Sequence, residues 1–424
     1  MKSASGVESD GTIVVVGASL AGLRAVETLR SEGFGGRIAL VGSELHLPYD
    51  RPPLSKQLLA GEWPPERCVL ADRVRLDNLR VDQLFGVRAV SLNSSTRTVG
   101  LEDGTEIAAD GVVIATGSYP RELPGTNALE TVQSLRTLDD SIRLSERVKQ
   151  VGDGCRLVVV GAGFIGSEVA STCAAIGCRV TVVEALEVPL SSALGPEVGS
   201  VVASLHELFG VDLRTGVGVK EIVESTDSTD GSGGRSRARV LLSDETSLTA
   251  DVVVVGIGVL PSTDWLEGSG LELDNGVLCD ASLFAADRIV AAGDVARWRW
   301  QRPLAPVADA TPVRIEHWQV AAEAGVAAAR SLIAGRTSAA SFDPVPYFWS
   351  DQYGVRIQML GRPSPDDDLA VVAGSLKERK FVALYGKSGR LNAAVSIGKP
   401  RELMAFRPLL AAGASFHDAM HLLN

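Results

Sequence analysis

One glycine-punctuated turn occurs twice in this chain, each time between an apolar β-branched run and a stretch of helical spacing. The first copy is Val14-Val15-Val16-Gly17-Ala18-Ser19-Leu20-Ala21-Gly22, and the second is Val158-Val159-Val160-Gly161-Ala162-Gly163-Phe164-Ile165-Gly166. A strand that feeds a helix through such a turn leaves the first helical N–H groups unpaired. Together with the positive end of the helix dipole, they favour a phosphate. Two such cradles commit the chain to an α/β architecture with two nucleotide-binding sheets, and they point to two dinucleotides exchanging electrons.

A chain of 424 residues is too long for one ordinary core and predicts two or three domains. Its net charge of −11 argues against nucleic acid, where phosphate neutralisation calls for Lys and Arg. Residues 1–11 are small and polar, so no signal peptide is expected, and no uncharged apolar run reaches the ~18 residues of a membrane span. The five cysteines, at 68, 155, 173, 178 and 279, form no CxxC pair, and their odd number fits a reducing cytoplasm. Cys173 and Cys178 have the CxxxxC spacing of some redox disulfides. Their place, late in the second cradle's helix and at the next strand, predicts instead two buried small apolar residues.

The pattern predicts a βαβ unit of strand 12–17, helix 20–32 and strand 37–42, then a buried strand at 111–116. A second βαβ unit runs from Arg156 to Glu184. Alternation over Val217–Leu248 suggests a hairpin whose Gly/Ser-rich centre, Ser225–Arg237, is a loop tip. Further strands are expected at Asp251–Gly256 and Arg288–Ala292, and an Ala-rich helix from Trp318 to about Ile333. The last 90 residues lack a cradle; strands near 355–361, 369–374, 380–385 and 391–397 and a helix from Arg401 predict a separate C-terminal α+β domain.

In the second cradle all three glycines are present: Gly161 for the tight turn, Gly163 for backbone approach to a pyrophosphate, and Gly166 for close helix–strand packing. Glu184, eighteen residues after Gly166, ends the next strand, where an acid accepts from both hydroxyls of an adenosine ribose and repels a 2′-phosphate. Ala185-Leu186-Glu187 offers no arginine, so NADH is expected over NADPH. The first cradle has Ser19 at its middle position, a small residue whose hydroxyl can donate to phosphate, and Ser43 or Glu44 could meet the ribose.

With these residues in view, the chain resembles the FAD- and NADH-dependent ferredoxin reductases that serve cytochromes P450 and Rieske-type dioxygenases. The likeness runs from about Gly11 to the C-terminus and is most specific at Pro48-Tyr49-Asp50-Arg51-Pro52-Pro53-Leu54-Ser55-Lys56. Thiol-dependent relatives hold their redox cysteines in this region; here there is none. The resemblance implies a glutathione-reductase-like fold: two Rossmann-like domains plus the α+β tail, with a discontinuous FAD domain (1–120 and 252–333), an NAD domain (121–251) and a C-terminal domain (334–424). It puts Lys56 beside the flavin ring and Arg51 near the FAD phosphates, with Gly17, Ser19, Gly22, Ala89 and Ala115-Thr116-Gly117 as further FAD contacts and Arg136 in the crossover. Ala291-Ala292-Gly293-Asp294-Val295-Ala296 is similar to the second FAD fingerprint, with Asp294 on a ribityl hydroxyl and Val295 beside it. Trp318 and Trp349 are implied to lie near the flavin. Phe164 and Ile165 would lie at the nicotinamide, Glu168 would accept from its carboxamide, and Gly258 would close the NAD site. Lys56, Glu168 and Trp318 are the implied catalytic residues, and no metal is expected.

The implied partner is a [2Fe-2S] ferredoxin, met by a monomer or homodimer. Such ferredoxins are usually acidic, so docking calls for a local basic patch: Arg297, Trp298, Arg299 and Arg302 with Arg314, or Lys377-Glu378-Arg379-Lys380. Two other readings share the motifs: a flavoprotein reducing rubredoxin or a small acceptor, and a redox-sensing interaction protein of the apoptosis-inducing-factor type.

Overall fold

The Thr12–Val16 run is buried along almost its whole length, as a central strand of a parallel sheet must be. In the computed structural model, which describes residues 6–227, 235–300 and 312–423, it pairs with Arg37–Gly42 on one side and Gly111–Ile114 on the other; Val14 stands opposite both Ala39 and Val112. The six strands run in the order Phe284–Ala286, Ile289–Ala291, Gly111–Ile114, Thr12–Val16, Arg37–Gly42 and Val81–Phe85. All are parallel except the Phe284–Ala286 edge. Chain order reverses beside Thr12–Val16, which makes the carboxyl end of that strand the switch point where such sheets bind nucleotides. The Leu20–Ser31 and Trp318–Ala334 helices pack together in this unit. A three-stranded antiparallel meander, Ala89–Asn93, Thr98–Leu101 and Glu106–Ala108, belongs to it as well. The unit comprises Met1–Asp50, Val69–Tyr119 and Leu260–Tyr347.

A second compact unit comprises Arg51–Cys68, Pro120–Val259 and Phe348–Asn424. Its nucleotide sheet has the order Asp212–Arg214, Arg179–Val183, Arg156–Val160, Val252–Val255 and Val132–Ser134, all parallel. Two expected boundaries change here. Residues 252–255 are expected in the first nucleotide domain; these four buried valines instead pair with Leu157–Val160. Residues 51–68, also given to the first domain, pack with the second unit: Leu59 joins the cluster of Leu144, Val148 and Val169, and Ser141 Oγ donates to the Leu54 carbonyl at 2.7 Å. Neither departure breaks the strand pattern, because a buried apolar run carries no mark of which sheet it will join.

The expected hairpin is three antiparallel strands, Val219–Asp227, Arg235–Leu242 and Ser247–Ala250; residues 228–234 of its tip lie outside the described residues. The tail forms a five-stranded sheet in the order Tyr347–Gln352, Val355–Gly361, Arg390–Ile397, Lys380–Lys387 and Asp368–Ser375. Its first strand, Tyr347–Gln352, is not among the expected ones, since Tyr347-Phe348-Trp349-Ser350-Asp351-Gln352 does not alternate. The helix expected from Arg401 is a short Pro400–Met404 segment followed by Arg407–Ala412 and Phe416–Met420.

Cys173 is fully buried, as expected, but Cys178 is partly exposed, and both are free thiols. Cys178 hydrogen-bonds Cys155, which favours its thiolate. The bond with Cys173 and burial outweigh this and push its thiol up to about 12. The bond to Cys178 and burial push Cys155 up too. Such thiols are poor nucleophiles at neutral pH. No helix among the described residues is long and apolar enough to cross a membrane.

Candidate nucleotide-binding and active site

In the first cradle Gly17 takes a φ of 116°, and its N–H donates to the Val41 carbonyl at 2.8 Å, closing the turn. A Cβ at Gly22 would stand 1.9 Å from the Gly17 carbonyl oxygen, and one at Gly17 would stand 2.1 Å from that of Ala115. The Ala115-Thr116-Gly117 turn therefore abuts the cradle, fixed further by Thr116 Oγ1, which donates to the Ser262 carbonyl at 2.8 Å. Ser19 is the helix N-cap with extended backbone, and its hydroxyl is not spent on a capping bond. Ser43 is exposed at the end of the Arg37–Gly42 strand, and the Glu44 carboxylate accepts from Tyr49 Oη at 2.5 Å. Asp294 sits in the Gly293–Val295 turn, where Ser118 Oγ donates to its Oδ2 at 3.0 Å and Val295 is buried. Trp318 begins its helix with Nε1 donating to Asp50 Oδ1 at 2.6 Å. Ala89 lies buried in the meander. A backbone cradle that a single Cβ would fill, an N-cap hydroxyl not used for capping and a carboxylate at the neighbouring strand end fit FAD.

The second cradle repeats the geometry. Gly161 has a φ of 98°, and its N–H donates to the Val183 carbonyl at 2.8 Å. A Cβ at Gly166 would stand 2.0 Å from the Gly161 oxygen, whereas one at Gly163 would meet nothing nearer than 4.0 Å. The space over Gly163 is what a pyrophosphate requires. Glu184 reaches into the turn: its Oε2 accepts from Ala162 N–H at 2.7 Å and its Oε1 from Leu186 N–H at 2.9 Å. Gly256 supplies the carbonyl 2.5 Å from a Cβ at Gly161, so the Val252–Val255 strand ends beneath the cradle. Gly258, with a φ of 98°, accepts from Arg121 N–H at 2.9 Å. Ile165 is half exposed on the first helical turn, and the Phe164 ring meets Phe348 at 4.4 Å between centroids. This site fits NAD.

Lys56 is not a solvated surface lysine. Its side chain is 12% exposed, and Nζ donates to Glu168 Oε2 at 2.5 Å and to the Pro52 carbonyl at 3.1 Å. Ser55 Oγ donates to the same Oε2 at 2.6 Å. On the other oxygen, Glu168 Oε1 accepts from Ser350 Oγ at 2.7 Å and from Asp351 N–H at 3.2 Å. A carboxylate has about four lone-pair directions, and here four donors take them. Glu168 thus anchors Lys56, and a nicotinamide carboxamide would have to displace one of these donors, which departs from the role the resemblance gave it. Arg51 Nη1 donates to the Arg136 carbonyl at 2.5 Å. Arg136 itself precedes a capping box in which Thr137 Oγ1 accepts from Asp140 N–H at 3.1 Å. Trp349 is half-buried in the first tail strand.

Ser55 lies inside the segment singled out in the sequence and Ser350 follows Trp349, but nothing there assigns either a role; a serine's partner depends on what the fold brings opposite. The same holds for His206, fully buried on the Ser191–Leu208 helix. Its Nδ1 lies 2.7 Å from the Tyr353 hydroxyl and its Nε2 lies 3.3 Å from that of Ser167. Burial pulls its pKa down to about 4.

The expected docking patch changes. Trp298 is 1% exposed and its Nε1 donates to the Phe342 carbonyl at 3.1 Å, so it is a core residue. Arg297 is ion-paired with Asp274 and donates to that residue's carbonyl at 2.8 Å. Arg314 pairs with Glu316. Arg299 is exposed, and Arg302 lies outside the described residues.

Two dinucleotide cradles in one chain, with a buried lysine–carboxylate pair on the second, define an α/β oxidoreductase that uses FAD and NAD(H). The chain belongs to the pyridine nucleotide-disulphide oxidoreductase family, which residues 11–325 match, and residues 347–422 match the reductase C-terminal domain. It is 36% identical to rhodocoxin reductase of Rhodococcus erythropolis over 94% of this chain and 89% of that protein. It is 35% identical to the ferredoxin–NAD(+) reductase component of the anthranilate 1,2-dioxygenase system of Burkholderia cepacia, over 95% and 94%. The crystal structure of the covalent putidaredoxin reductase–putidaredoxin complex matches with a TM-score of 0.86 at 32% identity, covering 96% of this chain and 94% of that one.

Proposed function

We propose that this chain is an NADH-dependent, FAD-containing ferredoxin reductase that passes electrons to a [2Fe-2S] ferredoxin serving a P450 or Rieske-type oxygenase. The observation that carries this reading is Lys56, paired with Glu168, in a segment where thiol-dependent relatives hold redox cysteines. A chain with both cradles and no cysteine there has no disulfide in that segment to reduce, and it passes its electrons to an external acceptor. Bound FAD supplies the step from a two-electron hydride donor to a one-electron acceptor.

The protein's part is geometry and charge. The Gly17–Gly22 turn and Ser19 hold the FAD pyrophosphate, and Asp294 takes a ribityl hydroxyl. Lys56 is held by Glu168 as a fixed cation, and the start of the Trp318–Ala334 helix adds partial positive charge toward the flavin. Gly161, Gly163 and Gly166 hold the NADH pyrophosphate. Glu184 binds its ribose hydroxyls and disfavours a 2′-phosphate. Residues 1–120 and 252–333 remain our assignment for the FAD domain, less the segments 51–68 and 252–255, with 121–251 for NAD and 334–424 for the tail. Five free thiols support a cytoplasmic setting.

Anaerobic titration with NADH tests the reading, followed by reduction of a panel of [2Fe-2S] ferredoxins with rubredoxin and oxygen as controls. The expected result is a yellow protein bleached by NADH far better than by NADPH, with ferredoxin the preferred acceptor. A protein that holds no flavin, or keeps its oxidised spectrum with NADH, refutes it. A slow, long-lived charge-transfer complex would favour the redox-sensing reading.

A further inference from the structure

Resting on that functional reading, we infer that Ser350, backed by Gln352, is a positioning residue for the Lys56–Glu168 pair. Glu168 is 3% exposed just past the first turn of the second cradle's helix, and its two oxygens face different neighbours. Oε2 takes Ser55 and Lys56, both from the 51–68 segment. Oε1 takes Ser350 Oγ and Asp351 N–H, both from the first tail strand. The carboxylate plane that Lys56 meets is therefore held from the far side as well, by Ser350 and Asp351.

Ser350 is suited to that task. It is fully buried, its hydroxyl donates to Glu168, and the same oxygen accepts from Gln352 Nε2 at 3.1 Å. A hydroxyl that accepts one bond has its proton directed into the other, so the Gln352–Ser350–Glu168 line is polarised toward the carboxylate. Gln352 is itself fully buried, with its Oε1 unpartnered, a cost that the fold bears beside this line. Behind it, Tyr353 takes a φ of 54°, and its N–H donates to Ser171 Oγ at 2.6 Å, one turn along the helix from Glu168. Residues 350–353 are thus pinned to the helix at two successive turns, which fixes their height against the carboxylate.

The test uses the purified holoprotein as wild type, Ser350→Ala, Ser350→Thr and Gln352→Leu. In Ser350→Ala the limiting rate of flavin reduction by NADH falls about tenfold, the scale of one charge-assisted hydrogen bond. The half-saturating NADH concentration moves less than about twofold, because binding contacts are untouched. The oxidised flavin band, recorded without NADH, shifts along with the rate. Ser350→Thr keeps the hydroxyl and recovers both readouts; Gln352→Leu, near in shape and lacking only the polar end, moves both in the same direction by less. A Ser350→Ala protein with wild-type rate and band overturns the inference, as does a Ser350→Thr protein impaired as badly as the alanine. If Ser350→Ala does not fold, a Gln352→Leu protein with wild-type rate and band overturns it. A wild-type protein that NADH does not bleach refutes the functional reading instead, whatever the variants do.

Discussion

His206 makes acid a probe of the second unit. Its ring is fully buried between Tyr353 and Ser167, and burial lowers its pKa from the ordinary 6.5 to about 4. Between those two values the unfolded chain takes up a proton that the folded chain refuses. The stability held by the neutral ring is therefore complete above pH 6.5 and is lost as pH falls toward 4. The proton-binding difference gives a loss of about 2 kcal/mol between pH 8 and pH 5, rising to about 3 kcal/mol below pH 4 where both states are protonated. Urea unfolding of the holoprotein across this range measures it, against His206→Phe paired with Tyr353→Phe, which removes the titrating ring and its hydroxyl partner together. The double variant should show a flatter profile by that amount. Carbon-13-labelled imidazole spectra supply a direct check: one of the five histidines stays neutral down to about pH 4. Parallel wild-type and variant profiles between pH 8 and pH 5, or five histidines all titrating near 6.5, refute the reasoning.

The two cradles separate by substitution. Gly22→Ala drives a Cβ to 1.9 Å from the Gly17 oxygen and should yield colourless protein; Gly166→Ala does the same at 2.0 Å from Gly161 and should leave the protein yellow but raise the NADH KM at least about tenfold. Flavin content and NADH titration read both. Burial would raise Asp251, but hydrogen bonds from Arg156 and the charge of Arg237 hold it down to about 2. Its contribution is present above about pH 4 and is lost as pH falls through about 2, so Asp251→Asn should cost about 2 kcal/mol in urea unfolding at pH 7, with the gap closing in acid. Arg299→Glu should raise the ferredoxin KM with the NADH KM unchanged in steady-state assays. Glu184→Ala should narrow the NADH-over-NADPH ratio of kcat/KM.

Both cradles were legible because their chemistry is local: strand, turn, glycines and helix follow one another within a dozen residues, and Glu184 lies one strand further on. The tail sheet was legible from its recurring short apolar runs, apart from its first strand. What stayed hidden depends on packing between segments far apart in the chain. Val252–Val255 has the same apolar character whichever sheet takes it. Trp298 between two arginines has the composition of an interface, yet alternation along Ala296–Arg299 turns its ring inward and the arginines outward. Ser350 meets Glu168 across 182 residues, a separation at which spacing in sequence says nothing.

Half of the polar shell around the Glu168 carboxylate is lent by the tail, through Ser350 and the Asp351 backbone. The tail is therefore no detachable appendage that could be traded among relatives to change partners. A chimera joined after Tyr353 keeps the donors native to this helix, whereas one joined before Phe348 imports foreign ones opposite Glu168. The shell of Glu168 travels with the tail unless the splice respects those few residues.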